Sequence, residues 1–505
     1  MHRSLSLSLA AALACLPACN GEHGPGSTGT STTASAPATS ASVTGAPPDM
    51  SPPIADAQLA SALTESLAFD PVLRAQPLHV TVADGAATLT GTVRTLAGKW
   101  RATRLVAEFK GVVAVTDAVL VKASARTDVE IAEDVSDAIK SDPATRNAGV
   151  QASASVGTVT LSGTVDSFAQ RGLVAEVASR VHGVQAVSLV VAISRVPSRP
   201  DAEIATDVIE EMHDDARLDG THVDVVVHAR GAVLSGVVGS LAQRDAAEED
   251  ARNAGVASVE AQAVRINWLE NVQMRPPLRL PVPTDAAIAS AVSRVLSNDV
   301  RLGAQLPSVR VEQGVVTLSG NVVDFRAQRV AHRDARRVSG MWRVQDDTTV
   351  LPARRESDAT IQRQVLRGIY DDAAAPDSRD VQVTTLHARV SLRGAVASQE
   401  DKKVIEDDVE EVPGVVGIEN GLRVPGYMPQ TMVVPPESIR HRVIEAIFWD
   451  PRVASRSVTV AVDPRGGVTL SGQVDSWQET RAASDDAIRA GAAHVLDYLR
   501  IAGAP

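Results

Sequence analysis

The side chains that most often perform catalysis are scattered along this chain. Its eleven histidines form no His-Glu-x-x-His motif, and the sequence holds neither Cys-x-x-Cys nor a Gly-x-x-x-x-Gly-Lys-[Ser/Thr] phosphate loop. A serine precedes a recurring glycine, but it lacks the Gly-x-Ser-x-Gly elbow and a recurring histidine that a serine nucleophile needs. These serines are Ser162, Ser235, Ser319 and Ser471. We therefore predict no catalytic, cofactor-binding or metal-binding residues, and interpret the serines as small strand residues.

Two acidic clusters contain oxygen ligands that a cation could use. They lie within residues 371–380 and 406–411, and both lack the glycine-centred spacing of a calcium loop. We interpret them as solvated faces.

One group of side chains could bind an anion. Five arginines at i, i+3, i+7, i+10 and i+11 share a broad face of a predicted helix. They are Arg326, Arg329, Arg333, Arg336 and Arg337. Near a membrane, such a face is a candidate contact for anionic phospholipid headgroups, with about 1 kcal/mol for each basic residue. In the alternative, the arginines pair with acidic residues of the neighbouring segments.

Charge differs sharply along the chain. The net charge of the 505 residues is −12, and residues 201–268 contain 14 acidic against 5 basic side chains. Residues 285–351, which hold the arginine helix, contain 9 arginines against 7 acidic residues. An acidic balance without aromatic residues on the basic strips argues against a nucleic-acid partner.

The arginine helix belongs to a unit that recurs six times. A strand phrase such as Thr-Leu-Ser-Gly-Thr-Val returns with its glycine every 72 to 84 residues, a spacing that suits one small domain per copy. The repeated glycines are Gly91, Gly163, Gly236, Gly320, Gly394 and Gly472.

Each copy predicts the same order of elements. Upstream of the phrase, apolar residues at i, i+4 and i+8, as in Leu59, Leu63 and Leu67, indicate an amphipathic helix, and in five copies an aspartate three residues earlier is expected to cap it. Two alternating strands joined by a glycine-bearing turn predict an antiparallel hairpin. A second helix and a last strand opened by Gly-Val follow, and the crossover predicts parallel pairing. The fold class is thus α+β, with six αββαβ units that each pack two helices on a three-stranded mixed sheet.

This pattern resembles the BON domain of bacterial osmotic-shock and nodulation proteins. The resemblance rests on the helix stripe, the [Ser/Thr]-Leu-[Ser/Thr]-Gly-x-Val strand and the Gly-Val opening of the last strand. Arg393 replaces the small hydroxyl residue in copy five, and Gly491-Ala492 replaces Gly-Val in copy six. The resemblance implies phospholipid binding and outer-envelope integrity under osmotic stress. Alternatively, it implies a periplasmic chaperone or a multivalent scaffold for envelope proteins or unfolded clients.

The first residues resemble a bacterial lipoprotein leader. A short apolar run ends in Leu16-Pro17-Ala18-Cys19, which predicts cleavage before Cys19 and acylation of its thiol. Asn20 after this cysteine favours sorting to the outer membrane. We therefore expect a periplasmic protein that is anchored to the outer membrane by its lipid. The alternative is an ordinary secreted protein with an incidental cysteine.

The predicted boundaries follow from composition and from the repeat. We expect a leader at 1–18, a Gly/Ser/Thr/Ala/Pro tether at 19–50 and proline-rich linkers at 268–283 and 425–436. The six domains are predicted at 51–122, 126–193, 199–267, 284–351, 357–424 and 437–502.

Aromatic residues recur at related positions of the copies. Phe168, Phe325 and Trp477 follow the Leu-Ser-Gly strand, and we expect them to close the end of a core. The pair Phe448-Trp449 is the candidate for an exposed amphipathic contact.

Overall fold

The computed structural model describes most of the chain after residue 53. The described ranges are 54–70, 72–74, 76–122, 126–142, 144–194, 199–219, 221–274, 283–303, 305–351, 356–371, 381–396, 399–423, 435–453, 457–474 and 477–501. The predicted leader, Cys19, the tether, residues 275–282 of the first predicted linker and most of the second lie outside these residues.

The first three domains follow the predicted order of elements. Domain 1 consists of α1 (Asp56–Phe69), β1 (Leu78–Ala83), β2 (Ala86–Val93), α2 (Leu96–Ala107) and β3 (Ala114–Val121). Domain 2 consists of α3 (Asp128–Ser141), β4 (Gly149–Ser155), β5 (Thr158–Val165), α4 (Phe168–Ser179) and β6 (Ala186–Ile193). Domain 3 consists of α5 (Asp201–Asp214), a 3-10 turn (Ala216–Leu218), β7 (His222–His228), β8 (Gly231–Val238), α6 (Leu241–Asn253) and β9 (Ser258–Ile266). The short helix α7 (Trp268–Met274) follows.

The last three domains repeat this order. Domain 4 consists of α8 (Asp285–Asn298), β10 (Ser308–Glu312), β11 (Val315–Val322), α9 (Phe325–Arg336) and β12 (Arg343–Val350). Domain 5 consists of α10 (Asp358–Asp371), β13 (Gln382–Leu386), β14 (Arg389–Ala395), α11 (Gln399–Glu410) and β15 (Gly417–Arg423). Domain 6 consists of α12 (Pro436–Trp449), β16 (Ser457–Val462), β17 (Gly467–Val474), α13 (Trp477–Arg489) and β18 (His494–Ile501).

Each domain holds a three-stranded mixed sheet with the Leu-x-Gly strand in the middle. In domain 2, β5 pairs antiparallel with β4, where Leu161 faces Ala152, and parallel with β6, where Leu161 faces Leu189. The predicted α+β class and the six mixed sheets are confirmed.

Each domain also has its own apolar core. In domain 2 the predicted stripe Ile131, Val135 and Ile139 is buried against Val159 and Leu161 of the middle strand. The equivalent stripe is buried in the other five domains. Full burial of one such side chain stabilises a fold by about 1.5–3 kcal/mol, so the period-four stripe attaches the first helix to its sheet.

The repeated glycine has a backbone reason. Gly163 has a φ of 128°, and a Cβ built there would lie 1.9 Å from the carbonyl oxygen of Gly149 on the neighbouring strand. An L side chain is strained at that φ and has no space at that distance. Glycine therefore allows the hairpin strands to approach each other there.

The aspartate at the start of the first helix is not the capping residue that the sequence predicts. In domain 2, Thr127 is the cap and Asp128 is the first helical residue. The Asp128 carboxylate instead accepts the backbone N–H groups of Val156 and Gly157 at 2.9 and 3.0 Å. Five domains share this bond between helix and hairpin turn, through Asp56, Asp128, Asp201, Asp285 and Asp358. The carboxylate thus fixes the hairpin on the helix.

The predicted linker at 268–283 begins with ordered structure. Residues Trp268–Met274 form α7, which starts directly after β9. Asn267 explains this start, because its side chain accepts the backbone N–H of Glu270 at 3.1 Å. The prolines that suggested a linker come only after this helix.

Candidate functional site

The arginine helix α9 carries basic side chains outward from a buried apolar face. Ala327, Val330, Ala331 and Ala335 are buried in the core of domain 4. Asp324 caps the start of the helix, because its carboxylate accepts the backbone N–H of Ala327 at 2.7 Å. The polar positions between the buried alanines face the other domains.

Arg326 is buried and reaches domain 2. Its two terminal nitrogens lie 2.5 and 3.1 Å from the two carboxylate oxygens of Asp142, and both side chains are 5% exposed. Burial raises the pKa of Asp142, but the Arg326 guanidinium outweighs it and holds that pKa below its usual value. Arg326 is therefore an interdomain contact and is not available to a lipid surface.

Arg329 reaches domain 5. It lies 3.0 Å from the Glu410 carboxylate and 3.6 Å from Glu411, and it donates to the Asp407 carbonyl oxygen at 3.3 Å. The acidic end of α11, which the sequence suggests is a solvated face, is thus partly occupied by this arginine.

The remaining three arginines diverge. Arg333 pairs within its own domain with Asp334 at 3.1 Å, and Arg336 reaches Asp485 of domain 6 at 2.7 Å. Arg337, directly after α9, lies 3.7 Å from Glu249 of domain 3. The expectation of one common lipid-facing surface therefore needs correction, since four of the five arginines pair with four different domains. The alternative drawn from the sequence, pairing with the neighbouring copies, describes Arg329 and Arg337, whereas Arg326 and Arg336 reach copies that are not adjacent. Phospholipid binding itself stays a prediction.

Domains 2, 4 and 5 enclose a cavity of about 270 Å³ beside α9. Its wall includes the five guanidinium groups of Arg180, Arg301, Arg326, Arg329 and Arg333 and the carboxylates of Glu176 and Glu411. Every one of these guanidiniums already forms an ion pair with a carboxylate. The cavity is thus charge-compensated, which makes it a weak candidate for binding an added anion.

The start of α9 docks onto the turn before the last strand of domain 5. The Phe325 N–H donates to the Val415 carbonyl at 3.3 Å, and the Gly414 N–H donates to the Asp324 carboxylate at 3.1 Å. The Phe325 ring packs against the core of domain 5. The predicted core plug therefore closes the core of the neighbouring domain.

Other domains use the same end of the second helix. Leu96 and Trp100 at the start of α2 pack with the core of domain 2. Arg481 in α13 donates to backbone carbonyls of domain 4, including Arg336 at 2.6 Å. The sequence pattern within one copy does not predict these contacts, because the residues that are contacted lie in another copy.

The pair Phe448-Trp449 is only partly exposed, which corrects the expected amphipathic contact. Trp449 is 4% exposed and belongs to the core cluster of domain 1, where its ring centroid lies 5.7 Å from that of Phe109. Its indole N–H donates to Glu445 at 2.8 Å. Phe448 is 44% exposed and the Lys110 ammonium lies 4.6 Å above its ring. These aromatic rings connect domain 6 to domain 1.

Domain 4 contains a buried acid pair that the sequence analysis missed. Asp299, after α8, and Asp334, on α9, interact next to Arg301 and Arg333. Burial and the neighbouring Asp299 charge raise the pKa of Asp334 to about 6. Burial also disfavours ionisation of Asp299, but its bonds to Arg301 dominate and lower its pKa. The pair therefore holds one proton over the mildly acidic range.

Two further features of the described residues bear on function. Among them, no three His, Cys, Asp or Glu side chains are grouped as a metal site. None of their helices has the length and apolar character needed to cross a bilayer.

The architecture is a tandem array of small αββαβ domains. Comparison with known proteins shows which family these domains belong to. The family model described as BON domain matches residues 55–123, 127–193, 200–266, 284–352, 357–426 and 437–503. The chain therefore belongs to the BON-domain family and carries six copies of the domain.

Relatives and solved structures were also found. The chain is 30% identical over 145 residues to Osmotically-inducible protein Y of Escherichia coli strain K12, covering 28% of this chain and 72% of that protein. A structure of CdsD, a structural protein of the type III secretion system of Chlamydia trachomatis, matches at 17% identity and a TM-score of 0.12. It covers 43% of this chain and 99% of CdsD, and at that TM-score the match supports no argument.

Proposed function

We propose that this protein is a non-enzymatic envelope protein of osmotic-stress tolerance that acts as a multivalent scaffold or chaperone. The relation to an osmotically inducible protein supports the stress link. The pairing of the α9 arginines with other domains makes lipid binding through that helix the weaker alternative.

The exposed sheet edges carry this proposal. In the described part of the chain, each three-stranded sheet pairs only within its own domain. An outer strand without a partner offers backbone N–H and C=O groups to an extended polypeptide. The last strands of domains 1, 2 and 6 also expose a large, mainly apolar side chain. Leu120 is 67% exposed, and Val190 and Tyr498 are each 63% exposed. Such strands suit extended, partly apolar segments of unfolded or docking proteins, and several weak sites on one chain add up to useful avidity.

The test compares lysine substitutions on the last strands of three domains with a lysine substitution on a helix. Val190 lies on β6, and the control Val129 lies on α3 with 67% exposure. A lysine on an edge strand discourages pairing with another strand. We expect Leu120→Lys, Val190→Lys and Tyr498→Lys together to reduce suppression of client aggregation, whereas Val129→Lys leaves it unchanged. Equal activity of all variants would contradict the proposal.

The phospholipid alternative is tested in parallel by flotation with phosphatidylglycerol vesicles. The lipid-free protein is predicted not to float. Salt-sensitive flotation would instead favour phospholipid binding. Glutamate substitutions of Arg329 or Arg336 are unsuitable here, since they would also repel Glu410 and Asp485 within the molecule.

We further propose that an acylated Cys19 holds the protein at the outer membrane, facing the periplasm. Several acyl chains hold a protein on a bilayer far more firmly than one chain does. We expect Cys19→Ala to abolish labelling with a radioactive fatty acid and to release the protein from membranes. Unchanged labelling of that variant would contradict the anchor.

A further inference from the structure

Domains of the first half of the chain contact domains of the second half, and these contacts use different interactions. Domain 1 meets domain 6 through Trp449, which is buried in the core cluster of domain 1. Domain 3 meets domain 4 through backbone hydrogen bonds, with the Ala216 N–H donating to Arg337 at 2.7 Å and the Ser339 N–H to Asp214 at 2.8 Å. Salt does not screen the apolar packing of the first contact, and it screens the backbone hydrogen bonds of the second only weakly.

The contact between domains 2 and 5 has a different composition. Three ion pairs span it. They are Asp134–Arg367 at 2.8 Å, Arg146–Glu356 at 3.1 Å and Arg180–Glu411 at 3.4 Å. The core cluster of domain 2 includes no residue of domain 5, and that of domain 5 includes none of domain 2. Charge is therefore the main described attraction between these two domains.

The three ion pairs are reached by solvent. Their side chains are between 17% and 47% exposed. The electrostatic screening length falls from about 10 Å at 0.1 M salt to about 3 Å at 1 M salt, so added ions weaken exposed pairs strongly. The buried pair Arg326–Asp142, in contrast, is 5% exposed on both sides and keeps domain 2 on domain 4.

We propose that the contact between domains 2 and 5 is a salt-releasable clasp. Rising ion concentration separates the facing surfaces of these two domains, which pivot about domain 4 because Arg326 holds domain 2 on it and Phe325 holds domain 5 on it. Domains 1 and 6 and domains 3 and 4 stay together. The released faces are those of α3 and α10, beside the arginine-lined cavity. The biological signal, the ionic part of an osmotic upshift, rests on the proposed function, whereas the opening itself does not.

The test is a distance measurement on the chain from residue 20 onward, which contains no cysteine. Spin labels on Val190→Cys and Leu386→Cys report on domains 2 and 5, and both positions are more than 60% exposed. Labels on Leu120→Cys and Tyr498→Cys, both more than 60% exposed, report on domains 1 and 6. Between about 0.05 M and about 1 M NaCl, we expect the ratio of open to closed molecules for the first pair to rise roughly tenfold. A tenfold change corresponds to about 1.4 kcal/mol, a reasonable sum for three exposed ion pairs.

Two controls keep the result specific. Sucrose at the same osmolality supplies no ions, so it is predicted to leave the clasp closed. Arg367→Glu places a carboxylate opposite Asp134 and is predicted to open the clasp at low salt. Arg363→Glu makes the same charge change one turn earlier on α10, where no ion pair is described, and is predicted to behave as the wild type.

Three results would each overturn the clasp. The first is an unchanged distance between domains 2 and 5 up to 1 M salt. The second is equal behaviour of the two glutamate variants. The third is opening of domains 1 and 6 at the same salt concentration, which would indicate general loosening. Aggregation suppression, measured separately on the unlabelled protein, tests the proposed function independently of the opening.

Discussion

One glycine recurs in all six domains with a positive φ, and in domains 1 to 3 the neighbouring strand also leaves no room for a Cβ. At Gly163 the positive φ and the nearby Gly149 carbonyl both exclude a side chain. The phrase that reveals the repeat in the sequence is therefore set by backbone geometry, and its recurrence carries no information about chemistry.

Domain 2 offers a matched pair of glycines for a stability prediction. Gly163→Ala is expected to destabilise domain 2 by about 2–3 kcal/mol, since it adds backbone strain and a clash. Gly172 lies inside helix α4 with open space around it, so Gly172→Ala is expected to stabilise the domain by about 0.5–1 kcal/mol. Hydrogen exchange of domain 2 amides measures both, because six domains are not expected to unfold in one step. Effects of the same sign would contradict the geometric explanation.

The acid pair Asp299–Asp334 predicts a pH optimum for domain 4. Asp334 has a raised pKa of about 6 in the fold, so its stabilising proton is lost as pH rises through 6. Asp299 has a lowered pKa, so its contribution is lost as pH falls below the ordinary aspartate value of about 4. Because the Asp334 proton is lost progressively between about pH 4 and about pH 6, the stability of domain 4 is expected to be greatest near pH 4 and to fall on both sides.

Asp334→Asn isolates one side of that optimum. The amide can still donate to Asp299 but has no proton to lose, so we expect the decline between about pH 4 and about pH 6 to disappear and the acid decline to remain. Hydrogen exchange of domain 4 amides across pH, corrected for the intrinsic exchange rate, measures this. A variant that keeps the wild-type decline between about pH 4 and about pH 6 would show that another group causes it.

At the scale of elements, the first turns of the second helices α2, α9 and α13 also contact another domain. The N-terminal start of α9, formed by Asp324 and Phe325, binds the Gly414–Val415 turn of domain 5 by two hydrogen bonds and a ring contact with the core. The contact couples the core of one domain to the helix of the previous domain in the chain.

Phe325→Ala tests that coupling. Loss of the ring is expected to cost about 1–3 kcal/mol of docking free energy, because the core of domain 5 gains exposed apolar surface. Faster hydrogen exchange at residues 412–416 of domain 5 would report it. Trp342→Ala removes another ring of domain 4, which is 51% exposed, and is expected to leave those amides unchanged.

The sequence predicted local structure well for a physical reason. The Ile131, Val135 and Ile139 stripe and the strand alternation depend on neighbours within one copy, and the structure buries them as expected. The capping role predicted for Asp128 is wrong, since a residue beside a helix start can bond either to its own helix or to a distant turn.

The partners of the arginine helix could not be predicted in the same way. Arg326 meets Asp142 across 184 residues, and no periodicity within one copy encodes a contact between copies. Helix spacing correctly placed the arginines on the polar side of α9, but their spread over four domains depends on how the domains pack. A signal was nevertheless present, because the strongly acidic third copy precedes an arginine-rich fourth copy.

At the scale of the whole molecule, the six domains meet in pairs that join the first half of the chain to the second. Domain 1 contacts domain 6, domain 2 contacts domain 5, and domain 3 contacts domain 4. The helices take part in these contacts, and the sheets keep unpaired outer strands. A tandem repeat in this arrangement behaves as one assembly with several outward sheets.

The contact between the first and last domains tests this arrangement most directly. The carboxylate of Glu65 lies 3.4 Å from the ring of His441, so Glu65→Cys and His441→Cys in the cysteine-free chain can be joined by a short thiol crosslinker. Glu65→Cys with Arg310→Cys, on an exposed strand of domain 4, serves as the control pair. We predict rapid crosslinking within single chains for the first pair and little for the control. Equal yields for the two pairs, or crosslinks only between separate molecules, would contradict the paired assembly.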